Sequence, residues 1–269
     1  MSIKRQPTGV RQCGSVGMAE AARRIDVLDV RPAFTQADAA ALEQRFAGVD
    51  AASMLRAVLH EGLAGKVAVV SSFGAESAVL LDLVAQADPA TPVIFVDTLK
   101  MFPETLAYRD ALAERLGLTD LRIETPDPAV LAARDATDLR WSYDPDGCCE
   151  IRKTVPLAKA LEGFDAWISG RKAFQASTRA ALPRFEIKDG RLKINPIADW
   201  TKADLDAWFT AKDLPRHPLE AQGYLSIGCA PCTSAVAPGE DPRAGRWRGW
   251  NKVECGIHTD GDTSNLPAF

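Results

Sequence analysis

KVAVVSSFGAESAVLLDLVAQA, residues 66–87, is the stretch that decides the fold. Its first six residues, KVAVVS, form a β-branched run without alternation, the pattern of a strand buried on both faces. A polar turn follows, Ser72-Phe73-Gly74-Ala75-Glu76-Ser77. Val79, Leu80, Leu83, Val84 and Ala87 then mark one face of a helix. The pattern recurs on both sides. Residues 51–64 read as a helix, with Leu55, Val58, Leu59 and Leu63 at helical spacing. Residues 92–97 (PVIFVD) read as a second strand, and residues 103–116 as a helix with Pro103 in its first turn. Residues 121–124 and 165–169 supply a third and a fourth strand. This alternation predicts the α/β class: a Rossmann-like parallel sheet with helices on both faces.

Length and charge bound the rest. A chain of 269 residues can bury a full core in one domain of the larger α/β type. The expected layout is a disordered segment over residues 1–25, an α/β domain over 26–236, and a mobile tail over 237–269. The tail opens on the Pro-, Gly- and Arg-rich run PGEDPRAGRWRGW, residues 238–250. A formal net charge of −4 speaks against a generic nucleic-acid or anionic-membrane surface. No apolar run reaches the ~18 residues of a membrane span. Lys4, Arg5 and Arg11 have no apolar core behind them, so the start is not a secretory signal and a cytoplasmic protein is expected. A homo-oligomer is compatible with all of this.

A buried strand, a tight turn with Gly74 and small hydroxyls, and then a helix form a general anion-binding device. Free backbone N–H groups face the ligand, with Ser72 and Ser77 as added donors. The Gly-Lys-Ser/Thr ending of a Walker loop is absent. On spacing alone, an ordinary turn with Ser capping explains the stretch equally well. The cysteines say more. Of six, Cys148-Cys149 and the C-x-x-C of Cys229 and Cys232 form a four-thiol set. Adjacent cysteines suit one zinc ion poorly, because neighbouring side chains diverge. A [4Fe–4S] cluster offers them separate irons and needs four thiolates. A zinc staple stays open at this point. Cys13 and Cys255 stand outside the set, Cys13 with no evident role.

These residues carry a family resemblance. Ser72-x-Gly74-x-x-Ser77 resembles the SGGxDS pyrophosphate loop of the adenine nucleotide alpha hydrolase-like superfamily, with Phe73 for the first Gly and Glu76 for the Asp. Val96-Asp97-Thr98 resembles its LDTG segment, with Leu99 where Gly is usual, and Phe102 to Thr105 (FPET) continues the match. Asp146 to Lys153 (DGCCEIRK) is similar to the CC…RK segment of assimilatory adenylyl-sulfate reductases. His217-Pro218-Leu219, Gly223-Tyr224 and residues 226–233 (SIGCAPCT) are similar to their HPL…GYxSIGCxPCT segment. Lys252 to His258 (KVECGIH) resembles their KxECGxH signature.

The resemblance implies a sulfonucleotide reductase with Cys255 as nucleophile and thioredoxin as reductant. Cys255 would attack the sulfur of adenylyl sulfate, release AMP and leave an S-sulfocysteine. A second thiol would then release sulfite. Lys252 and His258 would favour the thiolate, and Glu254 would oppose it. A thiolate ~4 Å from an anion meets roughly 4 kcal/mol of repulsion at an effective dielectric near 20, so cations must offset it. The match assigns Lys153, Arg243 and Arg246 to the phosphosulfate and Gly170 to the nucleotide. Lys172 stands where Arg is common. Arg171 and Arg248 read better as solvated surface charges. The cluster is expected to act structurally and electrostatically. His60 reads as structural, and His217 as packing or as a support of the cysteine loop. Three rivals remain: a phosphoadenylyl-sulfate or dual-specificity reductase, an ATP-dependent tRNA thiolation enzyme, and a non-catalytic iron–sulfur or zinc module.

Overall fold

A computed structural model describes residues 33–175, 182–252 and 254–257 of the chain. Two helices, α1 (Gln36–Arg45) and α2 (Ala51–His60), precede the core strand β1 (Val67–Val70). The chain then alternates through α3 (Ser77–Ala87), β2 (Val93–Val96), α4 (Pro103–Leu116) and β3 (Leu121–Glu124). Helices α5 (Pro128–Arg134), α6 (Pro145–Cys149) and α7 (Val155–Ala160) lead to β4 (Ala166–Ser169). A hairpin of β5 (Phe185–Lys188) and β6 (Arg191–Ile194) precedes α8 (Lys202–Ala211).

The six strands form one sheet in the order β3-β2-β1-β4-β6-β5. All pairs are parallel except β5 with β6. Strand side chains alternate between faces, and both faces are covered. Val67, Val69, Val93, Phe95, Ala166 and Ile168 enter the large core with α1, α2, α3, α4 and α8. Ala68, Ile94 and Trp167 pack on the other face against Leu157 within α7 and Leu161 just beyond it. This is the doubly wound arrangement expected from the sequence.

The first four expected strands match β1 to β4 within two residues at each end, and the helix expected over 103–116 is α4, closed by Gly117 in the left-handed region (φ 65°). The β5–β6 hairpin was not foreseen. Its turn, Asp189-Gly190, has φ of 51° and 71°, the backbone of a two-residue hairpin turn that Asp-Gly favours. Because the strand order reverses between β1 and β4, the connections leaving their paired carboxyl ends run to opposite sides and leave a crevice.

Candidate active site

That crevice is a cleft of about 440 Å³. Val70, Ser71, Ser72, Gly74, Ser77, Ser169 and Gly170 line its sheet side, and Lys153, Arg243, Arg246 and Cys255 line it as well. The structure therefore brings together every described residue the sequence assigned to nucleophile and substrate. His258 lies outside the described residues, as does Cys13.

The phosphate loop is shaped by a buried aromatic. Phe73 takes φ 49°, its N–H donates to Ser71 Oγ at 3.2 Å, and its ring packs edge-on to Phe95 at 5.6 Å. The Ser77 N–H donates to the Gly74 carbonyl at 3.0 Å, and no side chain caps the N–H groups that follow it in the first turn of α3, where an anion would be favoured. Glu76, the residue in place of the superfamily's Asp, pairs with Lys172 Nζ at 2.8 Å and accepts from Gln175 Nε2 at 2.8 Å.

The cysteine pair sits in a deformed helix. Pro156 has no N–H to offer Arg152, and its ring crowds that carbonyl. Residues Glu150–Thr154 relax into a π-turn in which the Val155 N–H reaches back to Glu150. Arg152, buried, donates to Asp135 at 2.7 Å, to Asp138 at 2.6 Å and to the Thr98 carbonyl at 2.9 Å. The Thr98 hydroxyl lies 3.2 Å from Cys229 Sγ. One buried guanidinium thus ties the β2 turn to the helix that carries Cys148 and Cys149.

All four cysteines line one small cavity, walled by Trp141, Trp247, Arg152 and Lys153. They are free thiols, and no three His, Cys, Asp or Glu among the described residues converge as one metal ion requires. The donor set still fits a larger thiolate-bound cofactor. Burial, with repulsion from neighbouring thiols, pushes Cys148 up to about 12 and Cys149 up to about 11. Burial also raises Cys232. Cys229 goes the other way: Lys153, Thr98 and Arg246 overcome its burial and lower it. Such a set ionises together only when a polycation compensates it, and a metal cluster supplies that.

Lys153 and Trp247 line both the cysteine cavity and the cleft. Desolvation opposes the Lys153 charge, yet Cys229, Cys255 and Cys149 hold its ammonium well above the ordinary lysine range. Burial lowers Arg246, against the pull of Cys255 and Cys229, and its Nε is buried without a hydrogen-bond partner among the described residues. The Arg246 guanidinium packs on the bare backbone of Gly228, where a Cβ would lie 2.3 Å from Nη2. Any larger residue at 228 would displace it. Arg243 pairs with Glu254 at 3.3 Å.

The tail was expected to be mobile. Its described part folds back on the cysteine loop, through a Thr233–Arg246 bridge and Trp247 N–H donating to the Cys232 carbonyl at 3.0 Å. Ile257 packs against the smaller core with Leu157 and Trp167, an anchor the sequence reading missed. Lys252, in the Cys255 motif, pairs with Asp146, 106 residues away. Arg171, read as a solvated charge, has a side chain only 11% exposed and pairs with Glu186 at 2.8 Å. Arg248 does match that reading: half-exposed, it pairs with Glu240. His217 is buried. Its Nδ1 accepts from the Leu219 N–H, Nε2 lies 3.0 Å from the Thr105 hydroxyl, and burial pushes it down to about 4. It is a packed, neutral histidine. His60 bonds the Ala87 carbonyl, a contact that joins α2 to α3.

A phosphate loop at the switch point of a doubly wound sheet, with cations gathered around it, defines a nucleotide-binding protein of the adenine nucleotide alpha hydrolase-like fold. A crystal structure of phosphoadenylyl-sulfate reductase from Candida auris, in a phosphate complex, superposes with a TM-score of 0.63 at 27% identity, covering 76% of this chain and 98% of that one. The phosphoadenosine phosphosulfate reductase domain model matches residues 66–235, and the chain belongs to that family. Among its relatives, adenosine 5'-phosphosulfate reductase of Mesorhizobium japonicum is 49% identical over 84% of this chain and 89% of its own length. The enzyme of the same name from Chelativorans sp. is 53% identical over 73% of this chain and 80% of its own. No described helix is long and apolar enough to cross a membrane.

Proposed function

We propose that this chain reduces adenylyl sulfate to sulfite and AMP in sulfate assimilation. The carrying observation is that Cys255, Lys153, Arg243 and Arg246 line the same cleft as the phosphate loop. The nucleotide's phosphate meets the uncapped first turn of α3 beyond the Ser77 N–H, with the Ser72 and Ser77 hydroxyls, while Gly170 borders the nucleoside. The Cys255 thiolate attacks the sulfate sulfur, the bond from sulfur to the phosphate oxygen breaks, and AMP leaves. Lys153, Arg243, Arg246 and His258 offset the charge that gathers there. A thiolate of a dithiol protein of the thioredoxin type then attacks Cys255 Sγ and expels sulfite. Its second thiol resolves the mixed disulfide, so the dithiol is oxidised by two electrons and sulfur is reduced by two.

Cys148, Cys149, Cys229 and Cys232 would hold a [4Fe–4S] cluster. Bound there, the cluster would let the four thiols ionise together and would tie the two cysteine loops rigidly, without itself exchanging electrons. Lys153, in the wall between the two cavities, carries that influence to the substrate. A preference for adenylyl sulfate over its 3'-phosphorylated form is supported by the pairing of nearby cations: Lys172 with Glu76, Arg171 with Glu186 and Lys202 with Asp206.

Mass spectrometry after mixing the protein with adenylyl sulfate and no reductant tests the reaction. The expected outcome is a gain of one SO3 on the peptide that contains Cys255, and none in Cys255→Ser, which should release no sulfite. An unmodified Cys255 peptide would overturn the mechanism. Anaerobic protein that is colourless and contains zinc in place of iron would overturn the cluster.

A further inference from the structure

The unforeseen hairpin carries a buried polar cluster that the reaction above does not use. Glu186 Oε1 gathers three donors: Arg171 Nη1 at 2.8 Å, Asn195 Nδ2 at 3.0 Å and Lys193 Nζ at 3.1 Å. Asn195 Oδ1 in turn accepts from Ser169 Oγ at 2.6 Å. Ser169 and Arg171 flank Gly170, and all three line the cleft at the end of β4. Both sides of the glycine are therefore tied, within two hydrogen bonds, to one carboxylate oxygen behind the cleft wall.

Lys193 is the costly member. Its side chain is 1% exposed, and its ammonium sits 4.8 Å over the Trp167 ring. Burial pushes it down to about 8, with Glu186 opposing that fall, and Arg171 and Lys188 adding to it. An apolar side chain in this strand position would fill the space without desolvating a charge, so packing alone does not account for a lysine. What the lysine adds is a second cation on Glu186, which keeps that carboxylate ionised and centred between Arg171 and Asn195 despite its burial.

We infer that Glu186, Lys193 and Asn195 are positioning residues that fix the Ser169-Gly170-Arg171 turn as the wall for the nucleoside part of the substrate. The hairpin β5–β6 is the rigid arm that presents them. None of the three lines the cleft, so each acts through Ser169 or Arg171. This rests on the nucleotide-reductase reading above, and the experiment separates the two.

Calorimetric titration with AMP and steady-state kinetics with adenylyl sulfate are measured on the full chain, wild type, Lys193→Met, Glu186→Gln and the double variant. Each single change should weaken AMP binding and raise KM about tenfold, with kcat at saturation largely kept. The second change should add little to the first, because both undo one unit. Wild-type AMP affinity in Lys193→Met, or equal losses in kcat and in affinity, would overturn the inference. So would full additivity of the two changes. If Lys193→Met does not fold, Glu186→Gln preserves shape and decides alone: unchanged AMP affinity sinks the proposal. Failure of the wild-type protein to bind AMP at all would sink the nucleotide reading instead.

Discussion

The loop wall of the cleft and its cysteine wall owe their shapes to different forces. Ser72 to Ala75 is held chiefly by packing: Phe73 is fully buried against Phe95, and Ala75 packs with Leu219 and Ile227. The cysteine wall is held by charge. Arg152 sits between two aspartates, Lys153 among three thiols, and Lys252 on Asp146. A phosphate bound by backbone N–H groups needs a loop of fixed shape. A thiolate approaching an anion needs fixed positive charge. Changes on the two walls should therefore fail in different ways, one in stability and the other in rate.

Lys153→Met should show the largest effect. If the ammonium offsets the ~4 kcal/mol repulsion between thiolate and phosphosulfate, its loss should slow sulfonation of Cys255 by about 10²–10³-fold. Rapid-quench mass spectrometry on the Cys255 peptide reads this, and thermal unfolding shows whether the variant is still folded. A change below about threefold would mean that charge at this wall is not what the reaction uses.

Phe73→Ala tests the other wall. Truncating a fully buried Phe costs about 3 kcal/mol or more, chiefly through the cavity left behind. The backbone strain at φ 49° is nearly unchanged, because alanine meets the same Cβ clash. Urea unfolding should show the loss, with AMP affinity reduced as the loop loosens. If stability held while sulfonation slowed as much as in Lys153→Met, the contrast between the walls would be false.

The same contrast governs how much was legible in the sequence. Packing writes itself locally. KVAVV and PVIFVD read as buried strands because each residue meets apolar neighbours on both faces, and Pro103 and Gly117 punctuate α4 as their backbones require. The β5–β6 hairpin stayed hidden because Glu186 and Lys193 face inward, which erases the apolar signal. The Asp189-Gly190 turn was its one local mark. The four thiols were legible as residue types, as were the cations of the Cys255 motif. Their pairings were not. Arg152 with Asp135, Lys252 with Asp146 and Arg171 with Glu186 span 17, 106 and 15 residues, and charge leaves no periodicity from which a partner could be read. The π-turn that sets Lys153 between the two cavities had a local cause in Pro156.

Leu99 offers the smallest and sharpest test, since it lies between the walls in the β2 turn. It takes φ 59° and is 54% exposed, at the position where the resembling motif has glycine. Its N–H donates to Asp97 Oδ1 at 2.9 Å, a backbone bond that any residue could make. A non-glycine residue in the left-handed region costs about 1–2 kcal/mol. Glycine would relieve that, while its freer unfolded chain returns about 0.4–1 kcal/mol and the half-exposed side chain forfeits little packing. Leu99→Gly should therefore stabilise the protein by about 0.5 kcal/mol, a rise in Tm of roughly 1–2 °C in a domain of this size. Scanning calorimetry would detect it, and sulfonation should stay at the wild-type rate because the Thr98 hydroxyl keeps its place beside Cys229. A fall in Tm would mean that the exposed leucine makes contacts worth more than its strain, and the β2 turn would then belong with the packed wall.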